Sequence, residues 1–160
     1  MTGLAYGATL ATAVGAGAAG GVFFAFSSFV MPALRRLPAA TGTATMQSIN
    51  ERALTPPFMA ALFGTAAGSV GLAAWAALGS GDDVPRGWLI GGAAAYLLGT
   101  IAVTIAGNVP LNDRLAAVEP SETDTATWQE WVSRWTALNH VRTVAALAAS
   151  AAFAVALGQA

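Results

Sequence analysis

Residues 87–112 read GWLIGGAAAYLLGTIAVTIAGNVPLN, a run without a single charged side chain. A helix needs roughly 20 predominantly apolar residues to cross a bilayer, and this run exceeds that length. Three more charge-free windows accompany it, at 1–34, 53–81 and 143–160. Together they predict an all-α integral membrane protein, an up-down four-helix bundle forming a single domain over 1–160. The predicted spans are about 4–30, 57–78, 88–107 and 138–157, with short interfacial helices in loops 1 and 3.

Composition agrees. The chain has 160 residues, 56% hydrophobic and 9% charged, and no lysine. A soluble domain carries about a quarter charged residues. The absence of cysteine excludes disulfides, thiolate nucleophiles and iron–sulfur ligation. A single histidine argues against a histidine-rich metal or haem site within one chain, so no metal ligand and no cofactor is predicted. With a formal net charge of −1 and no basic run, nucleic acid is not an expected partner. The first window lacks a charged n-region and is longer than an h-region of about 7–15 residues, so it reads as a retained helix.

Helix 1 carries Gly7, Ala11, Gly15 and Ala19 at four-residue spacing, and Gly17 with Gly21. Gly64 and Gly68 repeat the pattern in helix 2, and Gly91, Ala95 and Gly99 in helix 3. Small residues at this spacing let helix backbones approach closely in lipid, where hydrophobicity cannot drive association. The stripes permit self-association as well as packing within one chain. The far end of helix 1 is aromatic and slightly polar, with Phe23, Phe24, Phe26, Ser27, Ser28 and Phe29 before Met31-Pro32.

In loop 1, Met46, Ile49 and Ala53 share a helical face, which suits a short helix at the interface. Thr55-Pro56-Pro57 reads as a helix start. Loop 2, 79–87, reads as a short turn holding Asp82, Asp83 and Arg86. In loop 3, Ser121 with Asp124 three residues on resembles a capping box. The helix that follows has Trp128, Trp131 and Trp135 on one face, the pattern of an interfacial belt, and runs on through Asn139-His140 into helix 4. Loops 1 and 3, counting Arg142 at the rim, hold six arginines and loop 2 holds one. The positive-inside rule then puts loops 1 and 3 in the cytoplasm and both termini outside the cell membrane.

Helix parity brings the ends flanking loops 1 and 3 to one side of the bundle. The polar residues gather there: Asn50, Glu51 and Arg52, then Asn108 and Asn112, then Asn139, His140 and Arg142. Polar groups at membrane depth are costly and normally face the interior or a wet cavity. Three segments are therefore expected to line one cavity, floored by Phe23, Phe26 and Phe29 and flanked by Trp135. Each residue also has a plainer reading. His140 could anchor at the interface, Arg142 could snorkel to headgroups, Asn108 and Asn112 flank Pro110 as helix-end residues would, and Asn50 could sit on a solvated face.

One histidine with asparagines and an arginine suits proton abstraction better than metal binding. Histidine titrates near neutrality and can take a proton from an acidic carbon or phenol. Arg142 with Asn108, Asn112 or Asn139 could hold the resulting oxyanion. A dry aromatic cavity suits a flat apolar molecule arriving from the bilayer.

Four stretches carry a family resemblance: Phe26 to Leu34, Met46 to Asn50, Asn108 to Asn112, and Trp135 to Thr143. Occurring in this order, they resemble the anthrone-oxygenase-like family of small four-helix membrane proteins, many of whose members have no assigned function. The resemblance implies the four-helix fold. It also implies an oxygenase that converts an anthrone-like apolar phenol with dioxygen, without an evident metal or flavin. In that scheme His140 is the base, and Asn108, Asn112 and Arg142 hold the oxyanion. Two other readings stay open at this point. One is a non-catalytic membrane protein that binds or moves a small lipophile or lipid, and the other is a metal site shared between subunits.

Overall fold

The computed structural model describes residues 1–79 and 84–159. Among these, all regular structure is helical. Four helices are long and apolar enough to span a membrane: α1 (Gly3–Leu34), α3 (Pro56–Leu78), α4 (Arg86–Ala116) and α5 (Thr125–Gly158). The shorter α2 (Ala39–Ala53) joins α1 to α3. Each of α1 and α4 packs on both α3 and α5, so chain neighbours are spatial neighbours and α5 closes the ring against α1. The protein is an all-helical, multi-pass membrane bundle.

Where α1 meets α5, the bundle interior is made largely of small side chains. Ala16 and Ala19 on α1 meet Ala146 and Ala149 on α5, all fully buried, while Val14, Phe24, Leu98 and Val144 stand exposed on the outside. That inverts the order of a soluble bundle and follows from the solvent. Lipid tails accept large apolar groups as readily as a core does, so close backbone approach becomes the available gain. Gly15 and Gly68 form a reciprocal pair, since a Cβ at Gly15 would strike Thr65 and one at Gly68 would strike Thr12. Gly7, Gly21, Gly64 and Gly91, expected on the same stripes, face open space instead. Hydroxyls add cross-links: Ser150 Oγ donates to Ala13 O at 2.9 Å and Tyr96 Oη to Leu62 O at 3.1 Å.

Two helices run past the prolines at which the sequence reading ended them. α1 was expected to stop near residue 30 and α4 near residue 107, yet they reach Leu34 and Ala116. A proline inside an α-helix clashes with the carbonyl four residues back and lacks a donor. Here each proline follows a π-helical turn, Phe26–Val30 before Pro32 and Thr104–Asn108 before Pro110. In these turns the N–H groups of Met31 and Val109 reach back five residues, to Phe26 O and Thr104 O. The wider turn relieves the clash without ending the helix.

Other expectations also change. α2 begins at Ala39, so the loop 1 helix takes in the threonine-rich stretch ahead of Met46 as well. α5 is one unbroken helix from Thr125, and its N-cap is Asp124 rather than Ser121. Asp124 accepts from Thr127 N at 2.7 Å and Thr127 Oγ1 at 3.0 Å, bonds that hold its carboxyl below the usual range. The tryptophan stripe is not an interfacial belt. Trp128, Trp131 and Trp135 are buried and stacked, with ring centroids 5.6 and 6.1 Å apart, because α2 and the extended end of α4 cover them. Gln47 on α2 fixes that cover by donating to Leu115 O and Val118 O at 2.8 and 2.9 Å. Asp82 and Asp83 of loop 2 lie outside the described residues. Arg86 reaches back across that loop to Ala76 O and Gly79 O.

Gly42 of α2 rests on the face of Trp128, where an added Cβ would lie 2.5 Å from Cζ2 of that ring. Overpacking of this kind costs about 1–3 kcal/mol. Gly42→Ala is therefore expected to lower the melting temperature in detergent. Gly21→Ala, with open space at its Cβ, should leave it unchanged or raise it.

Candidate functional site: a cavity around Arg142

The buried face of α5 repeats at steps of three and four: Trp128, Trp131, Trp135, Asn139, Arg142, Ala146, Ala149, Phe153 and Ala156. Midway along it, alanine gives way to Arg142, and the bundle holds a cavity of about 230 Å³ at the end that includes α2. Its apolar wall includes Phe23 and Phe26 of α1, Met46 and Ile49 of α2, and Phe58 and Leu62 of α3. Its polar groups come from Asn50, Thr104, Asn112, Trp135 and Arg142. Leu54 and Phe63 also line it and are exposed, so the cavity meets the outside beside the joint between α2 and α3.

Arg142 is the dominant group. It is only 6% exposed, and no carboxylate is among the residues lining the cavity. Nη2 donates to Asn139 Oδ1 at 2.7 Å and Nη1 to Thr104 Oγ1 at 3.3 Å, while the buried Nε has no partner. The guanidinium carbon lies 4.4 Å from the centroid of the Phe23 ring and 5.2 Å from that of Trp135. Ring faces and neutral acceptors lessen the burial cost of a cation but leave its charge uncompensated. The only ion pair among the described residues is Glu130–Arg134, which is exposed.

Asn139 holds the guanidinium in place. It is fully buried, its Nδ2 donates to Phe23 O and to Ser27 Oγ, both at 2.8 Å, and its Oδ1 takes the arginine. Ser27 Oγ is also 3.1 Å from Thr143 Oγ1. These bonds tie the far half of α1 to α5. With both donors and the acceptor engaged, Asn139 is not among the cavity-lining residues.

The predicted site residues separate into two groups. Phe23, Phe26, Asn50, Asn112, Trp135 and Arg142 line one cavity. Asn108, Asn139, Phe29 and His140 do not. Asn108 is buried beside it, donating from Nδ2 to Trp135 O at 3.2 Å, with Oδ1 unpartnered. Asn112 Oδ1 instead accepts from Trp135 Nε1 at 2.8 Å. Phe29 is 62% exposed, so the expected aromatic floor comes from Phe23, Phe26 and Phe58. His140 is exposed and lies with Arg35 and Arg36 in a separate outer groove. The cause is helical geometry. Each residue turns the helix by about 100°, so a side chain next to the inward Asn139 and two before the inward Arg142 points elsewhere. Glu51 and Asp113, next in the chain to Asn50 and Asn112, are exposed too. Among the described residues, no three acidic or histidine side chains cluster as a metal site.

Sequence reading passed over Phe58, Leu62 and Thr104. Thr104 carried a signal, standing one turn ahead of Asn108. Phe58 stands directly after Pro56-Pro57, at the end already identified as polar.

No curated protein and no solved structure matches the chain. The model of the family described as anthrone oxygenase matches residues 57–152. That stretch contains α3, α4 and most of α5, and hence Thr104, Asn112, Trp135, Asn139 and Arg142 of the arrangement above. With more than half of its length matched, this four-helix membrane protein belongs to the anthrone oxygenase family.

Proposed function

We propose that the cavity binds a flat, weakly acidic apolar molecule, an anthrone-like phenol, as its oxyanion against Arg142, and that the bound anion reacts there with dioxygen. The observation that carries this is a buried guanidinium without a carboxylate, facing a largely aromatic and aliphatic cavity. Such a cation favours the charged form of a neighbouring acid. It would lower the cost of ionising the substrate, and Asn112, Asn50 and Thr104 could supply further polar contacts. The proton leaves to water where the cavity meets the outside. The electron-rich anthrolate then gives electrons to dioxygen and a carbon–oxygen bond forms at the former carbanion. The peroxide anion takes a proton back from water, and the hydroperoxide then loses water to leave the quinone, so anthrone and dioxygen become quinone and water. In this scheme Arg142 replaces His140 as the residue that drives ionisation, and no cofactor is invoked. We place loops 1 and 3, and so the cavity end, on the cytoplasmic side of the cell membrane, with the termini outside, from the arginine bias.

A second reading, binding or moving a lipophilic acid without turnover, is favoured by one observation. No imidazole or carboxylate is among the residues lining the cavity.

Oxygen uptake by the purified protein with an anthrone separates these readings. Acceleration over background is expected. Loss of one oxyanion donor typically costs about 10²–10³ in kcat, and Arg142→Met should fall by that order, while His140→Ala stays within a small factor of the parent. An inactive His140→Ala beside an active Arg142→Met would reverse the assignment. No acceleration at all, with the anthrone still quenching tryptophan fluorescence, would leave the binding reading.

Asn139→Ala should act through position. It removes the acceptor of Arg142 Nη2 and both bonds of Asn139 to α1, and a buried group left unsatisfied costs about 1–3 kcal/mol. A lower melting temperature is expected together with a fall in kcat larger than any rise in KM. An unchanged kcat would mean that the guanidinium does not need this anchor.

A further inference from the structure

Outside the core, the end of α1 and the Val132–His140 stretch of α5 enclose a second groove of about 470 Å³. Its polar lining includes Arg35, Arg36, Thr136 and His140, and no carboxylate is among its lining residues. Arg35 is held in position: its Nε donates to Gln129 Oε1 at 2.7 Å, and Gln129 Nε2 donates back to Arg35 O at 3.0 Å. That leaves its two Nη groups for a ligand. Among the described residues, neither Arg36 nor His140 is in a side-chain hydrogen bond or an ion pair. Thr136 adds a buried hydroxyl without a partner, whereas Thr143, two turns on, satisfies its own by bonding to Asn139 O. Pro32 and Val132 give the groove an apolar side.

Position selects the occupant. The groove lies where the span Gly3–Leu34 ends and the first two arginines of the chain begin. Span ends with basic side chains sit at headgroup depth, where basic pockets between helices receive anionic lipid headgroups. We propose that this groove binds the phosphate of an anionic phospholipid, with Arg35, Arg36 and His140 around the phosphate and the glycerol end of the lipid along Pro32 and Val132. The site is separate from the Arg142 cavity and does not depend on its function. It gives the only histidine of the chain a role at the rim.

The test is retention of lipid by the purified full-length protein, measured by native mass spectrometry against equimolar phosphatidylglycerol and phosphatidylcholine. Phosphatidylglycerol should be preferred. A basic side chain near an anionic membrane surface is worth about 1 kcal/mol, or about fivefold, so Arg36→Gln should reduce the preference by about that factor. Arg36→Lys should largely restore it, and His140→Gln should weaken it further in the Arg36→Gln background. Arg52→Gln, an exposed arginine at the end of α2, should leave it intact. The proposal is overturned if the parent shows no preference or if Arg52→Gln and Arg36→Gln lose it equally, which would mean diffuse charge. Full competition by excess inorganic phosphate also overturns it, because the site would then take free phosphate rather than lipid.

Discussion

A cation buried in a membrane bundle without a counter-charge is the constraint around which this molecule is arranged. Arg142 sits inside the apolar ring of helices, and the surrounding structure supplies neutral acceptors and ring faces for it. Those groups come from three different helices. Phe23 is on α1, Thr104 on α4, and Trp135 and Asn139 on α5. Holding one guanidinium thus fixes the relation of three spans, and the cavity is the space left in front of it. Ionisable residues within membrane spans usually mark function for this reason, since stability alone would favour an apolar residue in the same place.

The same arrangement divides the bundle into two halves of different character. In the half towards the termini, Ala16, Ala19, Ala146 and Ala149 let α1 and α5 approach closely. In the other half, aromatic rings, Asn139 and Arg142 occupy the corresponding positions. α2 and the tryptophan stack then cover that end of the bundle. The second apolar cluster, built on Met31, Met46, Trp128 and Trp131, extends the core beyond the alanine half.

The fold was largely legible from the sequence because membrane spans are announced by the absence of charge, a signal that needs no tertiary information. The convergence of polar helix ends was legible from parity, and a cavity lined by Asn50, Asn112 and Arg142 lies at that end. Individual side chains were less legible, for two reasons. His140 drew attention as the only histidine, yet rarity says nothing about direction. The buried face of α5, at steps of three and four through Asn139 and Arg142, skips it. The tryptophans followed that same face and belonged to the core. The glycine stripes were half informative, since spacing alone cannot tell a helix contact from a lipid contact: Gly15 and Gly68 meet partners, whereas Gly64 and Gly91 meet none.

The asparagines of α4 failed for a different reason, and it lies in the backbone. Asn108 and Asn112 are four apart, so a regular helix would put them on one face. The π turn at Thr104–Asn108 inserts one extra residue into the winding. Discounting it, Thr104, Val109 and Asn112 stand as if they were zero, four and seven positions along a straight α-helix, and all three line the cavity. Without the insertion, Thr104 and Asn112 would differ by about 80° at 100° per residue. The turn that admits Pro110 therefore also acts as a frameshift in the helical code. Residue numbers on its two sides belong to different reading frames, and only in the shifted frame does α4 present a continuous face to the cavity.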